Sequence, residues 1–309
     1  MDKKLFDIPV LLIAFNRPET TCLVFEQIRK LRPSQLYLFS DAPRNDKPEE
    51  QELVETCRYL LDDSQIDWNC KVERWFPESN MGCALGISSA ITWAFETSSQ
   101  LIIVEDDCLP HPDFFTFCKS MLEMYRGNDR IMHISGSLLN EDLKANNSDH
   151  FFSLIGNTGG WATWKSAWNR YDFWMEQFPE MKNEKRIHSL IRNTKTLNYW
   201  LERFDTVYTE ERKSSWEVQW QYSIFKNYGL AVVPHVNLIS NIGYMVAELA
   251  DESQNCPVVY ERNLKEIQSN ELAIGSEFGS PCLKTIFPEN ASFSTRFFYK
   301  FMSFLKLNY

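Results

Sequence analysis

The sequence lacks a long hydrophobic run, an excess of basic residues and any paired cysteine motif. Without an apolar stretch of about 20 residues, it has no predicted transmembrane helix. Its 32 Lys and Arg against 42 Asp and Glu give a formal net charge of −10, which argues against a protein that coats nucleic-acid phosphates. Its eight cysteines include no CxxC pair and no CxxH cluster, so we predict reduced thiols, mostly in the core.

The chain is rich in aromatic residues instead, with ten Trp and 22 Phe among 309 residues, and can bury a sizeable core. Residues 8–15 are apolar, but Asn16-Arg17-Pro18 ends this run too early for a signal peptide. We therefore expect a cytoplasmic protein that reaches the inner face of the cell membrane only peripherally. We expect one main domain over residues 1–260 and an extension over residues 261–309.

Short apolar runs alternate with amphipathic segments along the first half of the chain. The predicted strands are residues 8–15, 36–39, 70–76, 101–104 and 131–135, and the predicted helices are 20–31, 48–61, 82–96 and 114–125. This alternation predicts an α/β fold with a mostly parallel central sheet flanked by helices. Ligands of such sheets bind beyond the carboxyl ends of the strands, where Asn16-Arg17, Asp41 and Glu105-Asp106-Asp107 should converge.

The pattern is looser beyond residue 150. We predict an aromatic-rich segment over residues 161–174, helices near 195–204 and 216–227, and a strand at 231–234. The last stretch, residues 293–309, alternates basic with aromatic residues and predicts an amphipathic helix. That helix either makes peripheral contact with an anionic membrane surface or packs on the body of the protein.

The acidic triplet Glu105-Asp106-Asp107 follows a predicted buried strand. Three adjacent carboxylates repel one another unless a cation or strong hydrogen-bond donors lie nearby. Oxygen ligands suit Mg²⁺ or Mn²⁺, which bind one or two protein carboxylates together with substrate phosphates. The alternative is a solvated turn in which Asp106 or Asp107 caps the next helix.

Several sequence blocks occur in an order that resembles a known enzyme family. The blocks are Ala14-Phe15-Asn16-Arg17-Pro18-Glu19, Ser40-Asp41-Ala42-Pro43-Arg44, Asn80-Met81-Gly82, the acidic triplet, Gly160-Trp161-Ala162-Thr163-Trp164, Trp216-Glu217-Val218-Gln219-Trp220 and Asn237-Leu238-Ile239-Ser240-Asn241-Ile242-Gly243. They resemble bacterial GT-A glycosyltransferases of surface-polysaccharide synthesis, and the Golgi N-acetylglucosaminyltransferases that contain an EDD motif. The resemblance implies a GT-A (Rossmann-like) fold, with residues 1–135 as the nucleotide-sugar-binding half and 136–260 as the acceptor-side half.

The resemblance also implies roles for individual residues on the donor side. The implied donor-binding residues are Phe15, Asn16, Arg17, Asp41, Asn80, Gly82, Glu105 and Asp106. Arg17 would contact the nucleotide's phosphates or base, and Asp41 would accept a hydrogen bond from uracil. Asn80 and Gly82 would open a helix toward the pyrophosphate or sugar. Asp107 would hold Mn²⁺ or Mg²⁺.

On the acceptor side, the resemblance places the catalytic base at Glu217, where the bacterial relatives usually have Asp. Asp172 and Glu211 are weaker candidates for this base. Sugar rings stack on indoles, so we expect Trp161 and Trp216 on the acceptor side, although aromatic residues at helical spacing are more often in the core.

Together these features predict a metal-dependent, inverting glycosyltransferase. It would move a sugar from a UDP-sugar to a glycan or lipid-linked acceptor in bacterial surface-polysaccharide synthesis. Two alternatives remain open. After Gly243 the chain lacks the relatives' Asp-Ala-Thr-His-like stretch, as in a catalytically impaired nucleotide-sugar-binding protein. A sugar nucleotidyltransferase also has a related sheet, but it needs a Gly-rich basic loop after the first strand, which Asn16-Arg17-Pro18 is not.

Overall fold

A computed structural model of the chain describes residues 5–138, 149–210 and 215–243. The strands in these ranges are β1 (Val10–Ala14), β2 (Gln35–Ser40), β3 (Lys71–Trp75), β4 (Gln100–Glu105), β5 (Cys108–Pro110), β6 (Ile131–Ser135), β7 (His150–Ser153), β8 (Trp161–Trp164), β9 (Leu230–Pro234) and β10 (Ile239–Asn241). The helices are α1 (Pro18–Leu31), α2 (Glu50–Leu60), α3 (Cys83–Thr97), α4 (Pro112–Met124), α5 (Lys165–Trp168), α6 (Phe178–Asn183), α7 (Arg186–Leu190), α8 (Thr194–Thr209) and α9 (Glu217–Lys226).

Eight strands form one central sheet in the order β3-β2-β1-β4-β8-β6-β9-β7, and β5 pairs with β10 in a separate two-stranded sheet. In the central sheet, β1, β2, β3 and β4 are mutually parallel neighbours, as are β6 and β9. Strand β8 is antiparallel to both of its neighbours, and β7 is antiparallel to β9. The α/β fold with a mostly parallel central sheet that the sequence predicts is therefore confirmed, and the antiparallel pairings of β7 and β8 are additional to it.

Alternating side chains of the central strands enter two separate cores, because successive residues of a strand point to opposite faces. Val10 and Leu12 of β1 pack with α1 and α4, whereas Leu11 and Ile13 pack with α3. Both sets are fully or almost fully buried. A strand that is buried on both faces reads as a continuous apolar run, which explains why β1 and β4 are the clearest strands in the sequence.

A third apolar cluster joins the short helices of the second half of the chain to α9. Phe178 of α6, Ile187 of α7 and Phe204 of α8 pack against Val218 and Tyr222 of α9. The opposite side of α9, with Trp220 and Ile224, belongs to the core on the α3 face of the sheet. Helix α9 therefore connects the sheet to the outer helical layer and is apolar on both sides.

Each predicted strand and helix within the described residues is present with ends shifted by a few residues, and β6 matches the predicted residues 131–135 at both ends. The strands β5, β7, β8 and β10 and the helices α5, α6 and α7 were not predicted. Residues 136–243 add β7, β8 and β9 to the same central sheet, so the predicted donor-side and acceptor-side halves share one sheet. The predicted extension, the helix over residues 293–309, Glu211 and the segment after Gly243 lie outside the described residues. Within the described ranges, no helix is both long enough and apolar enough to cross a membrane.

Candidate functional site

The loops after β1 and β4 meet at the carboxyl edge of the sheet. The chain proceeds from β1 to β2 and β3 on one side and then returns to β4 on the other side of β1. This reversal is the topological switch point where ligands of open α/β sheets bind. Backbone hydrogen bonds fasten the two loops: the Asp106 amide donates to the Ile13 carbonyl, and the Phe15 amide donates to Asp106 Oδ2, both at 2.9 Å.

Arg17 supplies the positive charge at this edge. It lies directly before Pro18, the first residue of α1, and its Nη1 donates to Asp107 Oδ2 at 2.7 Å. The same nitrogen is 3.8 Å from Asp106 Oδ1. Burial lowers the pKa of Arg17, but the charges of Asp107 and Asp106 more than offset this, so the pKa lies above its ordinary value. The side chains of Asp106 and Asp107 are 9% and 5% exposed, whereas that of Arg17 is 40% exposed and accessible to a ligand.

The two-stranded sheet of β5 and β10 covers the other side of the acidic triplet. Asn241 pairs with Cys108, and the Ile242 amide donates to the Asp107 carbonyl at 2.8 Å. Gly243 then approaches the Asp107 carboxylate so closely that an added Cβ would lie 2.7 Å from Asp107 Oδ2. The sequence block that ends at Gly243 therefore forms one wall of the site, and a larger residue at position 243 would displace the Asp107 side chain.

Asp107, the residue predicted to hold Mn²⁺ or Mg²⁺, has protein partners for both of its carboxylate oxygens. Asp107 Oδ2 accepts from Arg17, and Asp107 Oδ1 accepts from Cys108 Sγ at 3.3 Å. Among residues 5–138, 149–210 and 215–243, no three His, Cys, Asp or Glu side chains come together as a set of metal ligands. The acidic cluster thus has Arg17 as its counter-ion within the chain. A cation that Asp107 would share with a substrate diphosphate stays a prediction of the resemblance.

Asp41, Asn80 and Gly82 converge, but on one another. Asp41 accepts hydrogen bonds from the backbone amides of Ala42, Met81 and Gly82 at 2.8–3.1 Å and from Asn80 Nδ2 at 3.2 Å. Burial is the main cause of the raised pKa of Asp41, and these amides partly offset it.

These contacts give both oxygens of the Asp41 carboxylate donors within the chain, just before α3 begins at Cys83. The amides of Met81 and Gly82 are directed at Asp41. That Asp41 would accept from uracil, and that the start of α3 would face a pyrophosphate, stay predictions of the resemblance. The family block at residues 80–82 therefore braces the loop after β2, because a buried carboxylate requires several donors.

A second polar cluster, which the sequence did not reveal, consists of Asn16, Arg44 and Glu50, with the Phe15 ring beside it. Asn16 Nδ2 donates to Glu50 Oε1 at 3.1 Å, and Arg44 forms a bidentate ion pair with the same carboxylate. The hydrogen bonds from Arg44 lower the pKa of Glu50. The Arg44 guanidinium carbon lies 5.8 Å from the centre of the Phe15 ring, within cation–π distance. Arg44 is part of a family block, and its basic side chain near a strand end was the only sequence signal of this cluster.

Glu217 is the first residue of α9 and is half-buried. Its Oε2 accepts from the Trp216 amide at 3.3 Å. Burial raises the pKa of the Tyr171 hydroxyl, and the charge of Glu217 raises it further, so the two side chains are within electrostatic range. The weaker candidate Asp172 is engaged elsewhere, because its Oδ2 accepts from Lys226 Nζ at 2.9 Å.

Trp161 and Trp216 lie in the core, which corrects the expectation that they face an acceptor. They are 0% and 2% exposed. The Trp161 ring stacks on His133 on one side, at 4.9 Å between centroids, and on Trp216 at 5.7 Å. Neither indole has a free face for a sugar ring. Their role is structural. The Trp161 backbone pairs with Ile103 of β4, two residues before Glu105, and the Trp161 ring stacks on Trp216, the residue just before α9. The stack therefore holds the start of α9 near the end of β4.

No protein-family model matches the chain, and no curated protein matches it. Among solved structures, it is similar to HddC from Yersinia pseudotuberculosis complexed with GMP-PN, at 12% identity and a TM-score of 0.34 over 51% of this chain and 77% of that one. It is also similar to the inositol-1-phosphate CTP transferase from T. maritima, at 10% identity and a TM-score of 0.34 over 81% and 98% of the two chains. A third similar structure is 4-diphosphocytidyl-2C-methyl-D-erythritol synthase from Anaerococcus prevotii, at 6% identity and a TM-score of 0.30 over 56% and 77%.

Proposed function

We propose that this protein is a transferase that uses a nucleotide-linked sugar, and that it moves the sugar from a UDP-sugar to a glycan or lipid-linked acceptor. The observation that supports this most strongly is the position of Arg17. Its guanidinium is held by two nearly buried carboxylates, yet is 40% exposed at the switch point between β1 and β4. A partly exposed guanidinium fixed in one orientation is well suited to binding phosphate oxygens.

On the donor side, Arg17 binds the diphosphate and stabilises the negative charge that develops on it as the sugar departs. Phe15 follows β1 and Arg44 follows β2, and the two side chains lie next to each other. Glu50 already holds the Arg44 guanidinium in place, so a planar base can stack beside it. Asp106 contributes by holding the Phe15 amide, so it fixes the loop against which the nucleotide rests. A sugar or ribose hydroxyl then binds near the half-buried Glu105.

On the acceptor side, Glu217 acts as the general base. It accepts the proton of the acceptor hydroxyl while that oxygen forms a bond to the anomeric carbon of the donor sugar. The bond between this carbon and the diphosphate oxygen breaks, and UDP leaves with the bonding electrons. Attack from the face opposite the diphosphate inverts the anomeric configuration. Glu217 is the first residue of α9, so the helix fixes the position of the carboxylate that serves as the base.

A sugar nucleotidyltransferase is the second candidate, since it also binds a nucleotide at this edge of a sheet. Such an enzyme would join a nucleoside triphosphate to a sugar phosphate and release pyrophosphate. The connection from β1 to α1 is only three residues long, contains no glycine and ends at Pro18, which has no amide hydrogen. It therefore offers few backbone donors to a triphosphate, and for this reason we favour glycosyl transfer.

The two reactions are distinguished by their products. The purified chain is incubated with a panel of UDP-sugars and a cell-envelope extract, and UDP is quantified, with and without Mn²⁺ or EDTA. A parallel reaction contains CTP or GTP with sugar 1-phosphates, and pyrophosphate is quantified. We expect UDP release that requires the extract and that falls in Glu217→Gln but not in the exposed control Glu202→Gln. Pyrophosphate release without UDP release would establish the second candidate. If neither UDP nor pyrophosphate is released, the result would indicate a binding protein.

A further inference from the structure

A groove beside α3 has the composition of a carbohydrate-binding site. It has a volume of about 580 Å³, within the range of ligand pockets, and lies between residues 85–96 of α3, residues 74–75 at the end of the edge strand β3, and residues 171–174. We call it the α3 groove. Of its eleven lining residues, five are aromatic, five are polar or charged, and only Leu85 is aliphatic.

The floor of the groove is the face of α3 that does not pack on the sheet. Ile87, Ala90 and Ile91 of this helix are buried against the strands, whereas Ser89 and Thr92 point into the groove. Leu85, Ser89, Thr92 and Glu96 follow the three- and four-residue spacing of one helix face. The Thr92 hydroxyl donates to the Ser88 carbonyl and accepts from Trp168 Nε1, so Ser89 is the hydroxyl of the floor available to a ligand.

The wall opposite β3 is a short segment held firmly in place. The Asp172 amide donates to Ser223 Oγ at 2.9 Å, and Gln219 Nε2 donates to the Phe173 carbonyl at 2.8 Å, so α9 anchors this segment. Trp174 follows and is 56% exposed, while the next residue, Met175, is fully buried in a left-handed conformation with φ of 50°. This uncommon backbone conformation turns Met175 into the core and leaves the Trp174 indole at the surface.

We infer that the α3 groove binds an oligosaccharide, with the Trp174 ring as the surface on which a pyranose stacks. Apolar faces of sugar rings pack on indoles, and their hydroxyls need donors and acceptors nearby. Ser89 and Glu96 supply these groups beside the aromatic rings.

The groove also leads toward the candidate catalytic residue. Tyr171 lines the groove, and its hydroxyl donates to the carbonyl of Trp216, the residue before Glu217, at 3.4 Å. An oligosaccharide in the groove therefore extends from the surface toward Glu217. On this basis the bound saccharide is the acceptor of the transfer reaction, an assignment that rests on the proposed function, whereas saccharide binding itself does not.

The test is binding of the full-length chain to an array of immobilised oligosaccharides, comprising α- and β-linked hexoses, N-acetylhexosamines and bacterial surface glycans. We expect retention on at least one class of glycan and a loss of about tenfold or more in affinity in Trp174→Ala, because a stacking surface is removed. Tyr59→Ala is the matched control, since Tyr59 is 65% exposed on α2 and does not line the groove. Matching thermal unfolding curves of the variants exclude misfolding.

Retention of no glycan by the wild-type chain, or equal retention by Trp174→Ala, would overturn the inference. UDP-sugar binding measured on the same preparations separates the two proposals. If the Trp174-dependent retention is found but no UDP-sugar binds, the groove is a saccharide site and the proposed transferase function is wrong. If UDP-sugars bind and glycan retention does not depend on Trp174, the acceptor lies elsewhere.

Discussion

The Arg17–Asp107 ion pair yields the most specific energetic prediction. Arg17 Nη1 and Asp107 Oδ2 are 2.7 Å apart, and the Asp107 side chain is 5% exposed. Removing one partner of a fully buried pair costs about 3–5 kcal/mol, because the remaining charge is uncompensated. Arg17 is 40% exposed, so solvent screens part of this loss. We therefore expect Arg17→Met to lower the free energy of unfolding by about 2 kcal/mol.

A double-mutant cycle isolates the interaction between the two side chains. Arg17→Met, Asp107→Asn and the double variant are unfolded in urea and followed by tryptophan fluorescence. The second substitution should cost less once the first is present, with a coupling energy of about 1–2 kcal/mol. Arg126→Met, an exposed arginine after α4, is the matched control and should change stability by less than about 0.5 kcal/mol. A coupling energy below about 0.3 kcal/mol would show that Arg17 is not the counter-ion of the acidic cluster.

Three further predictions concern two buried groups and the proposed base. Burial lowers the pKa of His133 from 6.5 to about 3, so the unfolded chain binds a proton on this side chain more tightly than the folded chain does. The free energy of unfolding should therefore fall as pH decreases from 6.5 toward 3, by up to about 1.4 kcal/mol per pH unit. Urea unfolding of His133→Gln should show a flatter pH dependence. Asp41→Ala should destabilise the protein by about 2–3 kcal/mol in urea unfolding, because buried amides lose their acceptor, and an effect equal to that of the exposed control Asp46→Ala would contradict this. Glu217→Gln should lower kcat by about 100-fold or more with little change in donor KM, and a loss below about threefold would remove its role as base.

Much of the fold was predictable because its central strands are buried on both faces. Residues 8–15 and 101–104 are continuous apolar runs that end in polar residues, and such runs have one interpretation in an alternating α/β chain. The convergence of Arg17 with the acidic triplet followed from topology alone, since parallel strands end at the same edge. The antiparallel insertion of β8 between β4 and β6 could not be predicted, because a four-residue aromatic strand has no distinctive periodicity.

Side-chain directions account for most of the differences at the site. Trp161 was expected at the surface, but a stack of three rings could only be recognised once His133 and Trp216 were placed on either side of it. Trp174 belongs to the same aromatic-rich segment and is the exposed one, because the left-handed Met175 turns the chain at that point. Neither fact is encoded in the spacing of the tryptophans.

The acidic triplet was predicted to lie near a cation or strong donors, and within the chain Arg17 is such a partner. Arg17 is 90 positions from Asp107, and only the pairing of β1 with β4 brings them together. The same is true of Asp41. Its carboxylate oxygens were predicted to accept from a ligand, and in the fold they accept from the amides of Met81 and Gly82. Local sequence shows that a polar group needs a partner, but it does not show which group that partner is.

The central claim, that the edge between β1 and β4 binds a nucleotide-linked sugar through Arg17, is tested most directly by calorimetric titration. UDP, UDP-glucose, UDP-galactose and UDP-N-acetylglucosamine are titrated into the wild-type chain, Arg17→Met and Arg126→Met, with and without Mn²⁺. The account predicts saturable binding of at least one UDP-sugar by the wild type and by Arg126→Met, and a loss of that binding in Arg17→Met. Equal binding by Arg17→Met, or no binding of any of these ligands by the wild type, would contradict it.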